Sequence, residues 1–249
     1  MANERLRDAL QSSGLTPPQL AEELGVDPKT VERWITKERE PYPKYRHAIA
    51  ARLGERERYL WPSTVSDAKA QEISESEILK IYPNRNSVPS ELWDRLLERA
   101  TQRVDILVYV GMFMTEKPKL LKSLATKADA GARIRLLFGD RDSVAVIQRS
   151  LDEGIGHHTI SAKIDHALAH FKQLNSVPRI SIRTHSTVLY NSIYRFDDEM
   201  IVNPHVFGKV AAHAPAMHLK QLSAGHLFAT YAESFDAVWD SAASDDRTD

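Results

Sequence analysis

There is no cysteine anywhere in the 249 residues, which excludes disulfide staples and thiolate metal sites. No apolar run approaches the roughly 20 residues that span a bilayer; the longest, VDILVYVGMFM at 104–114, falls well short. The opening MANERLRDAL carries acids and no apolar core, so it does not read as a signal peptide. Cytoplasm is the expected compartment, with no membrane partner and no cofactor. A decisive net charge is missing too. The formal value is −1 at pH 7, and a near-zero sum says nothing about partners because it can hide local asymmetry. Internal repeats and long low-complexity tracts are likewise absent from the sequence.

What is present is ordinary in bulk and uneven in detail. Hydrophobic residues make up 42% and charged residues 27%, as in a typical globular protein, and the length suits one large domain or a small one plus a medium one. Between Pro28 and Arg52, seven Lys and Arg stand against three Glu, a local charge of +4. The C-terminal SDDRTD is acidic and is expected to fray.

The pattern divides the chain. Residues 3–61 read as short helices separated by Gly and Pro, so a helical domain is expected over 1–61. Residues 62–76, PSTVSDAKAQEISES, have few large apolar groups and read as a linker. An α/β domain is expected over 77–245. Its strands are predicted at 78–82, 104–111, 133–139, 180–186, 188–196, 199–206 and 217–222. Helices are predicted at about 90–102, 117–130, 142–154, 159–174 and 226–242. Strands alternating with helices, followed by a hairpin, imply a mixed sheet covered by helices. The connection from 104–111 to 133–139 is long enough for a parallel βαβ unit.

The strongest local signal is PPQLAEELGVDPKTVERWIT, residues 17–36. Leu20, Ala21 and Leu24 share one helix face, and the helix opens on prolines that its first turn tolerates. Gly25 suits a left-handed C-cap. Asp27 suits the N-cap of a second helix whose buried stripe is Val31, Trp34 and Ile35. Small Ala21 permits close approach across a three-residue turn, the physics of a helix-turn-helix. These residues resemble the repressor/Cro-type (Xre-like) helix-turn-helix regulators, and the resemblance covers residues 3 to about 61. One departure is Pro17, where family members often carry a glutamine that clamps phosphate. The continuation PYPKYRHAIAARLGERERYLWP supplies a helix over Ala48, Ile49 and Leu53, with Tyr59, Leu60 and Trp61 expected to close the core; it looks like the closing helices of actinobacterial regulators of this type.

The resemblance makes 28–37 the recognition helix, with Lys29, Thr30, Glu32, Arg33 and Lys37 facing out. Arg33 suits bidentate contact with guanine, Thr30 a thymine methyl or a phosphate, and Glu32 a cytosine amine. Lys37, Arg39, Lys44 and Arg46 suit phosphates, which position a protein without reading sequence. The plain alternative is that these charges only solvate a surface. A single such module grips little DNA, so a homodimer on paired half-sites of double-stranded DNA is expected.

The order helix, strand, helix, strand, late hairpin and closing helix over roughly 78–242 resembles one repeat of the phospholipase D-like fold. That family carries H-x-K-x4-D on a hairpin, followed by a G-S-x-N segment. Its histidine is the nucleophile and its lysine stabilises phosphate charge. Two registers are open here. Anchored on the Asp197–Asp198 turn, Asn191 takes the histidine position, Ile193 the lysine and Asp198 the aspartate, with Asn203 and Pro204 in place of Gly-Ser. With His185 as nucleophile, Thr187 replaces the lysine and Ser192 the aspartate. Both registers lose the lysine, so the domain is expected to be catalytically degenerate.

Strand alternation groups Arg183 with His185, and Asn191 with Ile193 and Arg195. With Asn203 and His205 added, the region is a candidate pocket for a small anionic or phosphate-containing ligand. The plainer reading has Asn191 and Asn203 satisfying backbone groups at a hairpin or dimer seam, with His185 a hydrogen-bonded core residue. His157 and His158 follow GIG in a loop, and His166 and His170 have the i, i+4 spacing that can offer two imidazoles to zinc. No H-E-x-x-H frame surrounds them, so a half-exposed helix face is expected and no metal site. Asp140, Arg141 and Asp142 follow a strand's C-terminal end, a common ligand location, with Asp142 equally suited to cap the next helix.

The expectation is therefore a DNA-binding transcriptional regulator. Its phospholipase D-like domain dimerises and senses a small anion. The alternative is an active phosphodiesterase or nuclease brought to DNA by its helical module.

Overall fold

The structure, a computed structural model, describes residues 3–37, 39–61, 75–223 and 225–244. Over these residues the chain divides into two compact units: Met1–Ser76 with Leu222–His226, and Glu77–Gln221 with Leu227–Asp249. Of the expected linker, 62–74 lies outside the described residues, as do Glu38 and the acidic tail beyond 244.

The first unit is helical. Helix α1 (Glu4–Ser12) is capped by Asn3, whose Oδ1 accepts from Leu6 N while its Nδ2 donates to Leu60 O at 2.8 Å. That single side chain ties the first helix to the last. Helix α2 (Pro17–Leu24) opens on a reciprocal capping box between Thr16 and Gln19, which satisfies two orphan backbone donors at once. It ends at Gly25, φ +64°, in the left-handed conformation that glycine adopts without strain. Three residues later α3 (Pro28–Thr36) starts, with the Asp27 carboxylate accepting from Lys29 N at 2.8 Å. Helices α4 (Pro43–Leu53) and α5 (Glu57–Leu60) complete the unit. Leu6, Leu20, Val31, Ile49 and Leu60 are wholly buried at its centre. Tyr59, expected in that core, is 44% exposed; its ring lies beneath the Arg5 guanidinium, and Leu60 and Trp61 fill the interior instead.

The second unit is built on one sheet of eight strands in the order β1-β7-β6-β5-β2-β3-β4-β8. They are β1 (Ile78–Tyr82), β2 (Arg103–Leu107), β3 (Arg133–Gly139), β4 (Ile180–His185), β5 (Asn191–Phe196), β6 (Glu199–Pro204), β7 (Ala216–Lys220) and β8 (Ala243–Ser244). β2, β3 and β4 run parallel; every other neighbouring pair is antiparallel. The helices are α6 (Ser90–Arg99), α7 (Met112–Thr115), α8 (Leu120–Asp129), α9 (Val144–Asp152), α10 (Thr159–Phe171) and α11 (Leu227–Ser241).

The central strands β2 and β3 are buried almost throughout because both sheet faces are covered. On one face Ile106, Ile134, Leu136 and Tyr194 pack against α6, α8 and the end of α10. On the other, Leu107, Leu137, Ile193 and Val202 pack against α9, the start of α10 and α11. The strand expected over 104–111 ends at Leu107. Gly111 takes φ +70° and turns the chain into α7, so the rest of that apolar run is buried as a loop. Helix α11 is capped from far away in sequence: the wholly buried Glu77 accepts from Leu227 N at 2.8 Å. A carboxylate there also meets the positive end of the helix dipole. Among the described residues no helix is long and apolar enough to cross a membrane.

Candidate functional site

In the helical unit, α3 turns Val31, Trp34 and Ile35 inward and leaves Lys29, Glu32, Arg33 and Lys37 exposed, with Thr30 half-buried. Arg39 and Lys44 follow on the same stretch and are also exposed, Lys44 with its Nζ 4.5 Å from the Tyr45 ring centre. Among the described residues none of these five cations makes an ion pair. Their charge is thus available to a polyanion.

Two of the basic residues in this stretch are engaged. Arg46 was expected to meet phosphate, but its Nη1 donates to Pro41 O at 3.1 Å and its Nε lies 3.6 Å from the Glu57 carboxylate. It joins α4 to the start of α5. Arg52 holds Glu23 through two hydrogen bonds of 2.7 and 3.0 Å, joining α4 to α2.

In the second unit, the six residues expected to form one anion pocket do not converge. The β5–β6 hairpin pairs Ser192 with Asn203 and Ile193 with Val202. Asn191, Ile193 and Arg195 therefore face α11, whereas Ser192, Asn203 and His205 face the opposite side of the sheet. Arg183 lies on the α11 face, its Nη1 donating to Trp239 O at 2.9 Å and its guanidinium 4.4 Å from the Trp239 ring centre. Arg195 donates to Asp197 O and lies over Phe228. His185 is 2% exposed; its Nε2 donates to Val108 O at 3.2 Å, and burial keeps its ring neutral by holding the pKa below the ordinary value. Asn203 is wholly buried and donates to Ala214 O and Pro215 O. A continuous sheet separates the two groups, so the six share no cavity among the described residues: His205 opens into one, and Arg195 lines a different one with Arg103 and Arg133.

The His205 cavity, of about 250 Å³, lies beyond the C-terminal end of β2. Its polar lining comes from Arg85, Tyr109, Arg149, Glu153, Lys163, Ser192 and His205. His205 Nδ1 lies 3.1 Å from Leu189 O, and its Nε2 lies 3.0 Å from Ser192 Oγ. A carbonyl oxygen only accepts, so Nδ1 carries the proton. In the neutral ring Nε2 must then accept from the Ser192 hydroxyl. Burial first, and then the charges of Arg149 and Arg85, hold the His205 pKa down to about 4. The Tyr109 ring stacks on His205 with centroids 5.8 Å apart, while its hydroxyl oxygen accepts from Leu189 N at 2.8 Å.

Three cations border the cavity. Arg149 is held by Glu153 at 2.7 Å and by Lys209 O at 2.9 Å. Arg85 lies 4.2 Å from the Phe113 ring centre, and Lys163 is exposed. Neither Arg85 nor Lys163 forms an ion pair among the described residues.

Sequence reasoning missed all of these residues but His205. For Ser192 the signal was there: a two-residue turn at Asp197–Asp198 fixes the hairpin register and sets Ser192 opposite Asn203. Arg85, Arg149 and Lys163 come from three distant segments, and no local pattern joins them.

The histidines at 157, 158 and 166 line a shallow depression next to this cavity; among the described residues no three metal-ligating side chains are grouped to hold an ion. Asp142 does not cap the following helix. Ser143 does, its Oγ accepting from Val146 N. Arg141 is paired with Asp165.

Among the solved structures similar to this chain, three differ in the share they cover. One is TrmBL2, an archaeal chromatin protein described with a novel mode of DNA binding, at 15% identity and TM-score 0.41, covering 88% of this chain and 72% of that one. Another is Nuc from Salmonella typhimurium, a phospholipase D family member, at 14% identity and TM-score 0.40, covering 66% and 95%. The third is phosphatidylserine synthase from Haemophilus influenzae Rd KW20, at 11% identity and TM-score 0.42, covering 74% and 46%. Likenesses this slight fix neither activity nor partner. None of the curated proteins matches the sequence. The family whose model matches is described as Domain of unknown function (DUF5919); the match spans residues 75–245, more than half of the chain, and the chain belongs to that family.

Proposed function

We propose that this protein is a sequence-specific, DNA-binding transcriptional regulator of the Xre-like helix-turn-helix type. The observation that carries the reading is the division of α3. Its inner stripe is sealed by Val31, Trp34 and Ile35, while Lys29, Arg33 and Lys37 stand exposed and unpaired among the described residues. With α2, a three-residue turn and a left-handed Gly25 before it, α3 has the form of a recognition helix. Arg33 reads a base and Lys29, Lys37, Arg39 and Lys44 meet phosphates.

The second unit is a phospholipase D-like domain without phosphodiester chemistry, acting as dimerisation and sensor module. Two features support its lack of catalysis. Ile193, at the lysine position of the hairpin register, is wholly buried in the α11-facing core, where no phosphate reaches it. His185, the other candidate nucleophile, is also buried and hydrogen-bonded.

Homodimerisation is supported by four large apolar side chains at the open end of the hairpin. Val188 is 58%, Tyr190 79%, Val206 41% and Phe207 82% exposed, and Tyr190 O accepts from His205 N, which joins the two halves of this patch. Large apolar side chains left exposed in neighbouring segments favour an interaction site.

Selection of bound sequences from random duplex DNA, followed by a gel-shift titration, tests the first claim. Arg33→Ala is expected to weaken the selected site by about 1–3 kcal/mol and to relax preference at one base pair. Recovery of no enriched sequence overturns the reading. Light scattering of Tyr190→Asp with Phe207→Asp tests the dimer, which should dissociate.

A further inference from the structure

The cavity beyond β2 combines two features that together specify a ligand. At its rim, Arg85 and Lys163 carry positive charge that no carboxylate neutralises among the described residues. Glu153 also lines the cavity, but its carboxylate is spent on Arg149 Nε at 2.7 Å. At its wall stands Ser192, 3% exposed, with its hydroxyl proton directed to His205 Nε2. A hydroxyl oxygen has two lone pairs and one proton. With the proton committed, and with nothing donating to Ser192 Oγ among the described residues, this buried oxygen presents only acceptor capacity to the cavity.

The direction of that bond is not arbitrary. Leu189 O requires the proton on Nδ1, so the Leu189–His205–Ser192 chain runs one way and ends on an acceptor. Tyr109 stacks on the imidazole and anchors Leu189 through its N–H, which fixes both ends of the chain. The free lone pair of Ser192 Oγ can accept from a ligand in the cavity, and uncompensated cations around a concave site attract an anion.

We infer that this cavity binds a small molecule carrying an anionic group for Arg85 and Lys163 and, a few bonds away, a hydroxyl or amine that donates to Ser192. A bare anion satisfies only the cationic rim. A neutral polyol satisfies only Ser192. The inference deepens the sensor reading of this domain, but the site itself stands independently of any effect on DNA.

The full-length protein is titrated calorimetrically with inorganic phosphate, glycerol 3-phosphate, glycerate and glycerol. Glycerol 3-phosphate or glycerate is expected to bind about tenfold more tightly than inorganic phosphate, the worth of one well-made hydrogen bond, and glycerol is expected not to bind. Which of the two acids binds better assigns the anion as phosphate ester or carboxylate; either result supports the site. Ser192→Ala should remove the advantage over inorganic phosphate while leaving phosphate binding unchanged. Lys163→Ala, at an exposed position that leaves the fold intact, should weaken all anions together.

Equal binding of glycerol 3-phosphate and phosphate, an unchanged advantage in Ser192→Ala, or no binding of any anion at millimolar concentration overturns the inference. The same ligand is then added to a gel shift. Binding that leaves DNA affinity unchanged keeps the site and removes the sensor reading.

Discussion

Arg135 grips Asp105 across two neighbouring strands through paired hydrogen bonds, Nε to Oδ1 at 2.7 Å and Nη2 to Oδ2 at 2.9 Å. The two are direct partners in the parallel β2–β3 ladder, with Asp105 wholly buried and Arg135 5% exposed. The same guanidinium reaches Asp236 on α11 at 2.8 Å and lies against the rings of Phe235 and Trp239. One side chain therefore fastens α11 to the sheet. Removing Asp105 leaves the buried Arg135 with the half-exposed Asp236 as its remaining carboxylate partner, so Asp105→Ala is expected to cost about 3 kcal/mol in urea unfolding. Asp236 is 47% exposed at its side chain, and Asp236→Ala is expected to cost under about 1 kcal/mol. Comparable losses from the two substitutions would contradict this assignment.

Acidification should destabilise the domain through His205. Its pKa falls from 6.5 in the unfolded chain to about 4 in the fold, so the unfolded state binds the proton more readily. Stability is full above about pH 6.5 and declines as pH falls toward 4, by up to about 3 kcal/mol. The buried His185 and His218 shift in the same direction. Melting curves of His205→Gln should show a shallower fall across that window than the wild type; an identical slope would remove His205 as its source.

Asp197 supplies a second, lower window. Its carboxylate accepts from the backbone N–H groups of Thr101, Gln102 and Arg103 at 2.8, 3.0 and 2.7 Å, and its own φ is +51°. Burial acts to raise its pKa, but these N–H groups outweigh it and hold the group below 3.8. The stabilisation is complete above the unfolded value and is lost as pH falls through the folded one. Asp197→Ala is expected to cost about 2–3 kcal/mol, from three lost charge-assisted bonds and the strain of a positive φ. Asp197→Asn, which tolerates that conformation, should recover part of it in the same denaturation assay.

Phosphate contacts and base contacts should separate by salt. Lys37→Ala is expected to weaken binding evenly across duplex sequences and to reduce the slope of log affinity against log salt by about 1. Arg46→Ala should leave that slope unchanged, because its guanidinium is held by Pro41 O and Glu57; its effect should appear in the melting temperature. A lower slope for Arg46→Ala would return it to the DNA face.

Local chemistry alone determined the helical unit. Prolines at helix starts, Asp27 and Gly25 at the caps, and the Val31–Trp34–Ile35 stripe each act within a few residues, so the sequence carries them in full. Alternation and turn chemistry likewise marked most strands and the Asp197–Asp198 hairpin, but the apolar run over 104–111 forms a strand only as far as Leu107 and β8 left no such mark. The tertiary structure decided what meets across the sheet. A strand's period tells which side chains share a face, but not which face of one strand matches which face of the next until the register is known. Asn191 and Asn203, grouped by sequence, thus lie on opposite sides of a covered sheet. Ser192, left out of the expected pocket, joins His205 and three distant cations at a cavity, because packing brings Arg85, Arg149 and Lys163 there from segments that share no local pattern.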